Sequence, residues 1–428
     1  MANNLTRNTS TKIAERFAPA FEASRVLTKT VTTDSISADF SDAKYGDTTY
    51  IKRPHDYVAA ETAGGDLTAV TDSDIVSATA PAVVQNYITV SMNWSNREET
   101  LQLNQLDKIL QPAAERLSLQ LESNLATYMI QRSGLHRGTV GTAITTWSSV
   151  ADTRALATQI GVPTSGDFYA VMNPFAVSAL ANATNGLQSG DVGLVNDAWK
   201  RAQISRDFAG ATALTASTLQ GVTLGAGAGA SGITIKTSPD CTYLTNKDTM
   251  TQTIVLTGFT ASLANAVRAG DTLRITTAGK YRLNAKTRQV AFDNSGALQI
   301  HLKVLTGGSA NGSGDVTVTV ANAAIYEANG QYNNVNAALV AGDTVSVLGT
   351  ASAIVQPSLM YHKSAFGVGF VDLPKLSGWD SSVITSDDGL SIRVTKYSDP
   401  RTNQQKIRFD LLPVFATFNP MFAGTFYG

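Results

Sequence analysis

Residues 112–132 read PAAERLSLQLESNLATYMIQR, and this segment carries the clearest secondary-structure signal in the chain. Apolar side chains recur along it at the spacing of one helix face. They are Leu117, Leu121, Leu125 and Tyr128. Pro112 suits the first turn of a helix and Gly134 suits its end. The pattern predicts a helix of about 20 residues, about 30 Å long.

The residues before this helix predict a strand and a shorter helix. In NYITVSMNWS (residues 86–95) apolar and polar side chains alternate, which is typical of a half-buried strand. Ser95 and Glu98 then form an S-x-x-E capping box, which satisfies free amides at a helix start. LQLNQLDKILQ (101–111) carries that helix to Pro112, where we expect a second helix to begin.

Further towards the N-terminus, the sequence predicts an arm and an extended segment. Thr11 to Ala23 has Ile13, Phe17 and Phe21 on one helical face, as in a short arm that docks on another surface. From Thr30 to Ala82 the chain is polar and has no helical period. A long excursion of this kind in a compact domain tends to be functional or mobile.

IKRPHDYVAA (residues 51–60) lies in this extended segment and concentrates polar groups that could serve chemistry. They are Lys52, Arg53, His55 and Asp56. In an extended chain, Arg53 and His55 point away from Lys52, and a proline is tolerated only at an edge strand or a turn. The groups therefore do not converge on one site. We interpret the segment as a solvated arm whose charges pair with another surface and set register more than affinity.

Mixed helix and strand follow the long helix. WSSVADTRALATQIG (147–161) and GLVNDAWKRAQ (193–203) predict helices, and DFYAVMN (167–173) predicts a strand. PFAVSALANA (174–183) predicts a helix that begins at Pro174. Near the C-terminus, GLSIRVTKY (389–397) and QKIRFDLLPVFATF (405–418) predict a hairpin. Its apolar residues alternate with polar ones, so we expect one buried face.

Between these parts, residues 221–355 read almost entirely as short strands separated by turns, which is typical of a sandwich or a small barrel. LGAGAGASG (224–232) is interpreted as a flexible join into this region. The strands are predicted in GITIKT (232–237), TIVLTG (253–258), DTLRIT (271–276), LQIHLKVL (298–305), DVTVTV (315–320) and DTVSVLG (343–349). RAGDTLRIT and VAGDTVSVL indicate a shared turn geometry. Because mixed helix and strand lie on both sides, the sequence predicts an inserted domain.

Composition limits the possible functions. The 428 residues are 43% hydrophobic and carry a formal charge of −1, which argues against a dedicated nucleic-acid binder. The single cysteine, Cys241, excludes an intrachain disulfide and favours a reducing compartment. The first residues lack the apolar run of a signal peptide, and no segment approaches the roughly 18 apolar residues of a membrane helix. We therefore expect synthesis and use in a cytoplasm, with no membrane partner.

The sequence offers no catalytic, metal or cofactor site. Its four histidines, His55, His136, His301 and His362, have no metal-ligand spacing. A G-x-G-x-x-G match at Gly227 precedes a strand, so the anion site of a helix start is missing. No Walker loop, nucleophile elbow or HExxH motif is present. We predict neither an enzyme nor a bound cofactor.

The order of these features resembles the major capsid proteins of tailed bacteriophages, and more narrowly the coat proteins of short-tailed enterobacterial phages that carry an inserted domain. The segments that carry the resemblance are IKRPHDY, NYITV, LNQLDKILQPAAERL, FYAVMNPFAVSAL, AGDTVSVLGTAS and IRFDLLPVFATFNPMFAGTFYG. It implies an α+β protein with the Hong-Kong-type capsid fold. That fold has an N-terminal arm, an extended loop, a long spine helix, peripheral and axial domains, and here an inserted all-β barrel.

The resemblance also implies a division of the chain. Residues 1–36 form the N-terminal arm, and residues 37–84 form the extended loop that lies over a neighbouring subunit. Residues 85–220 and 356–428 form the capsid core, and residues 221–355 form the inserted β-barrel domain. Within the core, residues 95–132 correspond to the spine helix and residues 147–203 to the peripheral domain.

The implied function is self-assembly into an icosahedral shell around phage double-stranded DNA. The implied partners are further copies of the chain in hexamers and pentamers, a scaffolding protein and a portal protein, with DNA enclosed without sequence-specific contacts. Assembly takes place in the host cytoplasm and maturation follows. The candidate subunit-interface residues are Ile13, Phe17 and Phe21 in the arm, Lys52, Arg53, His55 and Asp56 in the extended loop, and Asp240, Lys247 and Asp248 in the insert.

Other functions stay open from the residues alone. A bacterial nanocompartment shell has the same fold but carries an enzyme cargo instead of DNA. A β-rich surface or tail binding protein would explain the insert but gives the long helix no role. An enzyme would need titratable side chains that converge on a pocket, for example around His55.

Overall fold

The structure of the chain is a computed structural model. It describes residues 17–19, 21, 25–33, 47–59, 61–66, 68, 73–95, 106–164, 167–185, 204–385, 390–399, 401–402 and 404–428. The chain divides into two compact units. Unit I comprises Met1–Ile51, Pro81–Ala126 and Phe366–Thr417, and unit II comprises Lys52–Ala80, Thr127–Ala365 and Phe418–Gly428.

The α-helices that follow the arm are, among the described residues, α1 (Leu106–Arg132), α2 (Trp147–Ile160), α3 (Pro174–Asn185) and the single turn α4 (Tyr243–Asn246). The strands follow in chain order. They are β1 Thr48–Lys52, β2 Thr79–Val84, β3 Ile88–Ser95, β4 Leu135–Arg137, β5 Phe168–Met172, β6 Asp207–Phe208, β7 Ala211–Thr215, β8 Val222–Thr223, β9 Thr234–Thr237, β10 Thr251–Thr257, β11 Thr272–Ile275, β12 Phe292–Asp293, β13 Gly296–Ala297, β14 His301–Thr306, β15 Val316–Ala321, β16 Val345–Val347, β17 Ile354–Val355, β18 Ser358–His362, β19 Phe366–Phe370, β20 Asp380–Thr385, β21 Ser391–Asp399, β22 Gln404–Leu411, β23 Pro413–Thr417 and β24 Ala423–Phe426.

The long helix α1 has 27 residues, which corresponds to about 40 Å. Its predicted apolar stripe is confirmed, because Leu117, Leu121 and Leu125 are fully buried. The predicted break at Pro112 is wrong, since the helix runs through this residue. A proline inside a helix removes one backbone hydrogen bond. Burial of Leu117 and its neighbours on the same face outweighs that loss, so the helix continues.

The helices α2 and α3 confirm two predictions. Gly161 ends α2 in a left-handed conformation with φ 92°, which an L side chain adopts only with strain. The Asn173 side chain accepts a hydrogen bond from the amide of Ala176 at 2.6 Å and so caps the start of α3. The helix predicted over residues 193–203 lies outside the described residues. Of the arm helix, only residues 17–19 and 21 are described, and they are helical.

The C-terminal hairpin is confirmed as the antiparallel pair β21–β22, and β3 joins its other side. These strands form a four-stranded sheet of order β20-β21-β22-β3. The predicted single buried face is wrong, because Ser391, Arg393 and Thr395 are buried as well. Arg393 donates to the buried carboxylate of Asp410 at 2.8 Å, and this pairing makes burial of a charged side chain tolerable.

Other sheets complete the two units. One four-stranded sheet has the order β1-β2-β23-β19. A mixed six-stranded sheet in unit II has the order β4-β24-β18-β5-β7-β6, with β5–β7 and β4–β24 parallel. Its apolar face packs against the buried residues of α2, including Val150, Leu156 and Ile160.

A second six-stranded sheet, of order β16-β11-β14-β15-β10-β9, contains all six strands predicted between residues 232 and 349. Hydrogen bonds also join its two outer strands, from the Val345 amide to the Ile233 carbonyl and from the Ile235 amide to the Asp343 carbonyl, both at 2.9 Å. The short strands β8 and β17 pair with each other where the chain enters and leaves this region. The inserted barrel itself stays a prediction.

The glycine-rich segment 224–232 is not a flexible join. Its backbone bonds to the surrounding backbone, for example from the Gly227 amide to the Ala266 carbonyl and from the Gly229 amide to the Val347 carbonyl of β16. A Cβ atom on Gly225 would lie 2.4 Å from the Ala266 carbonyl oxygen. The glycines are therefore required for close packing of one backbone against another, which composition alone does not distinguish from a linker.

The two related turns share one hydrogen-bond pattern, as the sequence predicts. The Asp271 carboxylate accepts from the amide of Arg268 at 2.9 Å, and the Asp343 carboxylate accepts from the amide of Val340 at 2.7 Å. The glycine before each aspartate has a positive φ, which is 94° at Gly270 and 90° at Gly342. In the part of the chain that the structure describes, no helix is long and apolar enough to span a membrane.

Candidate functional site

The N-terminal arm residues pack inside unit I. Phe17 and Phe21 are buried, with 1% and 0% of their surface exposed. The ring of Phe17 stacks on Phe409 with centroids 4.1 Å apart. Ile13 lies outside the described residues. Within one chain, therefore, the arm anchors through Phe17 and Phe21, and its role between subunits stays a prediction.

A buried carboxylate on α1 fixes the residues that follow the arm. Glu122 accepts hydrogen bonds from the Leu27 amide at 2.6 Å, the Thr28 amide at 3.0 Å and the Thr28 hydroxyl at 2.7 Å. Glu122 is 1% exposed. Sequence reasoning missed this contact, because a glutamate next to Leu121 on a helix ordinarily indicates a solvated edge of the apolar stripe.

Arg53 connects the extended segment to the strand region of its own unit. Its guanidinium donates to the carbonyl of Phe418 and, at 2.9 Å, to the carbonyl of Asp248. Burial lowers the pKa of Arg53 to about 10, although the nearby Tyr243 and Asp248 oppose the shift. Arg53 is half-buried, so the interpretation of the whole segment as solvated is wrong at this position.

The other polar residues of the segment separate, as the sequence predicts. Asp56 forms an ion pair with Arg288. Lys52 and His55 are exposed. The four side chains therefore do not form one site, and two of them bind within the chain while two face outwards.

Residues of the β-rich region 221–355 complete this contact from the other side. The Asp248 carboxylate accepts from the Thr79 amide at 2.9 Å, and Lys247 donates to the Ser77 carbonyl at 2.8 Å. The side chain of Gln331 donates to the Asp74 carbonyl at 2.5 Å. Hydrogen bonds from both directions thus hold Arg53, Asp56, Asp74, Ser77 and Thr79 on residues 247–331 of the same unit. We call this set of contacts the clasp.

Apolar contacts support the clasp. Ala78 is buried in a small cluster with Tyr243, Ala323 and Ile325. Tyr243 stacks on Tyr332 with ring centroids 3.7 Å apart. Burial, and then the neighbouring Tyr332, raise the pKa of Tyr243 to about 12, so the Tyr243 phenol stays neutral at ordinary pH.

Asp240 has a local structural role. Its carboxylate accepts hydrogen bonds from the amide and hydroxyl of Thr242 and from the hydroxyl of Thr245 at the start of the α4 turn. These bonds lower the pKa of Asp240. Asp240 therefore shapes the loop that carries Lys247 and Asp248. Whether any of the three contacts another subunit stays a prediction.

Two of the histidines that the sequence scatters come together. The rings of His136 and His301 lie 5.4 Å apart. His362 packs instead against Phe168 and Phe422. Among the described residues no group of three or more histidine, cysteine or carboxylate side chains could hold a metal ion.

Comparisons with known proteins point in one direction. The family model described as "P22 coat protein - gene protein 5" matches residues 1–428. The major capsid protein of Acyrthosiphon pisum secondary endosymbiont phage 1 is 42% identical over 429 residues, which cover 100% of both chains.

Solved capsid structures are similar at a lower level. The capsid of the cyanophage P-SCSP1u has 11% identity and a TM-score of 0.44, over 94% of this chain and 88% of that one. The mature capsid of bacteriophage PhiM1 has 8% identity and a TM-score of 0.42, over 90% and 82% of the two chains.

Proposed function

Since the chain belongs to the P22 coat protein family and is a phage major capsid protein, we propose that it assembles with a scaffolding protein into an icosahedral procapsid that later matures. In this proposal its copies form hexamers and pentamers in the host cytoplasm, and a portal protein joins the shell. The observation that carries the proposal is the 42% identity to a phage major capsid protein over the full length of both chains. The protein is structural and is not an enzyme.

The charge of the chain supports enclosure of double-stranded DNA without sequence-specific contacts. Its formal charge is −1 over 428 residues. Cationic contacts to phosphates strengthen DNA binding steeply, so a strongly basic inner surface of the shell would bind the genome tightly. A nearly neutral subunit also repels its copies weakly, which favours self-association.

The extended segment has two roles in this proposal. The clasp, through Arg53, Asp56, Lys247 and Asp248, fixes the segment on its own chain. The exposed residues of the same segment then meet a neighbouring subunit. These are Lys52 and His55 together with the apolar Tyr57 and Ile75, which are 58% and 74% exposed. Large exposed apolar side chains beside charged ones are typical of protein–protein contacts.

We also infer that residues 221–355 form an inserted β-barrel domain. The pairing of β8 with β17 supports the insertion, because it holds the entry and exit of the region side by side. Hydrogen bonds between the outer strands β9 and β16 support closure of the sheet.

The particle mass tests the proposed assembly. Protein co-expressed with the scaffolding protein of its phage is analysed by size-exclusion chromatography with light scattering and by negative-stain microscopy. We expect closed shells in the megadalton range. A species that stays at the monomer mass of 45.1 kDa under these conditions would contradict the proposal.

Charge reversal tests the two roles of the segment. Lys52→Glu is expected to lower the yield of shells while the monomer keeps its melting temperature, because Lys52 is exposed. Arg53→Gln serves as the comparison, since it removes clasp contacts within the monomer. Normal shells from Lys52→Glu would remove the proposed interface role of this residue.

A further inference from the structure

One face of the inserted sheet carries basic side chains. Arg274 on β11 lies opposite His301 on β14 and opposite Ser346 on β16, so these side chains share a face. Thr272 and Lys303, paired two residues further along, share it too. The residues that alternate with them are aliphatic and buried in the core on the other face, among them Leu273, Leu302 and Val347.

The basic face forms one wall of a cleft of about 630 Å³. His136 and Arg137 of β4 line the cleft together with Arg274 and His301. Asp293, Ser295 and residues 348–350 line it too. All of these residues belong to unit II. The cleft therefore lies between the basic face and the strand that follows helix α1.

Positive charge in and around the cleft exceeds the carboxylates that pair with it. Arg137 pairs with Asp293, which itself lines the cleft, at 2.7 Å and with Asp152 at 3.6 Å. Arg274 forms no ion pair with the described residues, and its buried Nε atom has no hydrogen-bond partner among them. Arg282, which is 1% exposed, donates Nη2 to the carbonyl of His301, while its Nη1 has no partner within the same residues.

Burial and the nearby positive charges lower the pKa values of the two histidines in the cleft. Burial, followed by Arg282, Arg274 and Arg137, lowers the pKa of His301 to about 3. Burial, followed by His301 and Lys303, lowers the pKa of His136 well below its usual value.

Buried cations are ordinarily paired, because an uncompensated charge away from water is costly. An anion in the cleft would supply the missing partner.

We propose that this cleft binds a phosphate group, with the unpaired guanidinium of Arg274 as its main contact and Arg137 at its edge. A planar guanidinium presents paired N–H donors that match the oxygens of a phosphate. The inference goes beyond shell assembly, and it concerns either a free phosphate ion or the phosphate of a larger molecule such as the enclosed DNA.

The test measures the melting temperature of the full-length protein as inorganic phosphate is added, with sodium chloride at matched ionic strength as the reference. A ligand that binds only the folded state raises the melting temperature with its concentration, here by several degrees at saturation. We expect this rise in the wild type and in Lys236→Gln. The latter loses one positive charge at the surface pair with Asp315, outside the cleft.

Two variants should lose the phosphate-dependent rise. Arg274→Gln removes the main contact. Ser295→Asp places a carboxylate at the exposed turn that lines the cleft and changes no buried side chain, so it remains informative if Arg274→Gln folds poorly. A short DNA duplex that prevents the phosphate effect in the wild type would identify the DNA backbone as a source of the phosphate, and no competition would indicate a free ion. The proposal is overturned if phosphate has no effect beyond that of chloride, or if Ser295→Asp keeps the full effect.

Discussion

At the scale of single residues, Glu122 is the clearest case of a buried charge with a structural role. Its two carboxylate oxygens satisfy two backbone amides and one hydroxyl at Leu27 and Thr28. Hydrogen bonds to a charged acceptor are shorter and stronger than neutral ones. The carboxylate therefore compensates its own burial by fixing a segment that has no regular secondary structure of its own.

Glu122→Ala is expected to lower the free energy of unfolding by about 3 kcal/mol, because the amides of Leu27 and Thr28 would be buried without acceptors. A urea titration followed by tryptophan fluorescence measures the change. Glu115→Ala is the matched control on the same helix, since Glu115 is exposed and accepts a hydrogen bond from the side chain of Gln111 one turn away. Equal effects of the two substitutions would show that the Glu122 contact contributes nothing.

The paired histidines predict a pH dependence. Both His136 and His301 have pKa values lowered by burial, the latter to about 3, so the folded protein holds them neutral. The unfolded chain binds a proton at each of them below about pH 6.5. Stability should therefore fall as the pH drops below 6.5, by at most about 1.4 kcal/mol per pH unit for each histidine. At higher pH the two histidines contribute no slope.

Melting temperatures measured between pH 7.5 and pH 5 check this expectation. This pH window lies above the ordinary pKa values of carboxylates. His301→Gln should flatten the slope, because the lowered pKa of His301 is one of its two sources. A slope in His301→Gln equal to that of the wild type would assign the pH dependence to other groups.

The local arrangement of these side chains is therefore easier to predict from the sequence than the distant residues that they contact. The sequence indicates correctly that Arg53, His55 and Asp56 do not converge. It gives no sign that Arg53 reaches Asp248, which is 195 residues away in sequence. Contacts of such long range depend on the register of the intervening sheet, and a local pattern does not contain that information.

At the scale of secondary-structure elements, the spacing of apolar residues and the residues that cap helices predict most of the helices and strands. All six strands predicted in the insert appear, because alternation and turn residues are local signals. The glycine-rich segment 224–232 was misinterpreted for a physical reason. A glycine that permits close backbone packing and a glycine that confers flexibility are the same residue in the sequence.

Substitution of Gly225 tests that explanation. Gly225→Ala is expected to destabilise the protein by about 1–3 kcal/mol, because its Cβ would lie 2.4 Å from the Ala266 carbonyl oxygen and 2.9 Å from the Val267 Cα. Gly312→Ala is the control, since a Cβ there meets nothing within 4 Å. Thermal unfolding of both variants measures the difference. Equal stability of the two would restore the interpretation of 224–232 as a loose linker.

At the scale of the whole molecule, the order of elements along the chain was more informative than any one motif. An arm, an extended segment, a strand, a long helix and a β-rich region within mixed structure could all be derived locally, and together they resembled phage capsid proteins. The family match over residues 1–428 confirms that resemblance. The contacts between subunits could not be derived, since they depend on surfaces of several copies that no single-chain pattern specifies.

Deletion of residues 221–355 tests the insert at this scale. The cut ends are already adjacent, because the Gln356 side chain donates to the Leu219 carbonyl at 2.6 Å. The insert also contacts what remains, through the Ala285 amide on the Ile160 carbonyl and the Asn322 side chain on the Gly134 carbonyl. We therefore expect the shortened chain to keep its helical circular-dichroism signal but to give less soluble protein and fewer or aberrant shells than the full chain expressed in parallel. A shortened chain without helical signal would show that residues 221–355 are not a separable insert. Unchanged yield and shell size would show that the contacts to Gly134 and Ile160 are dispensable.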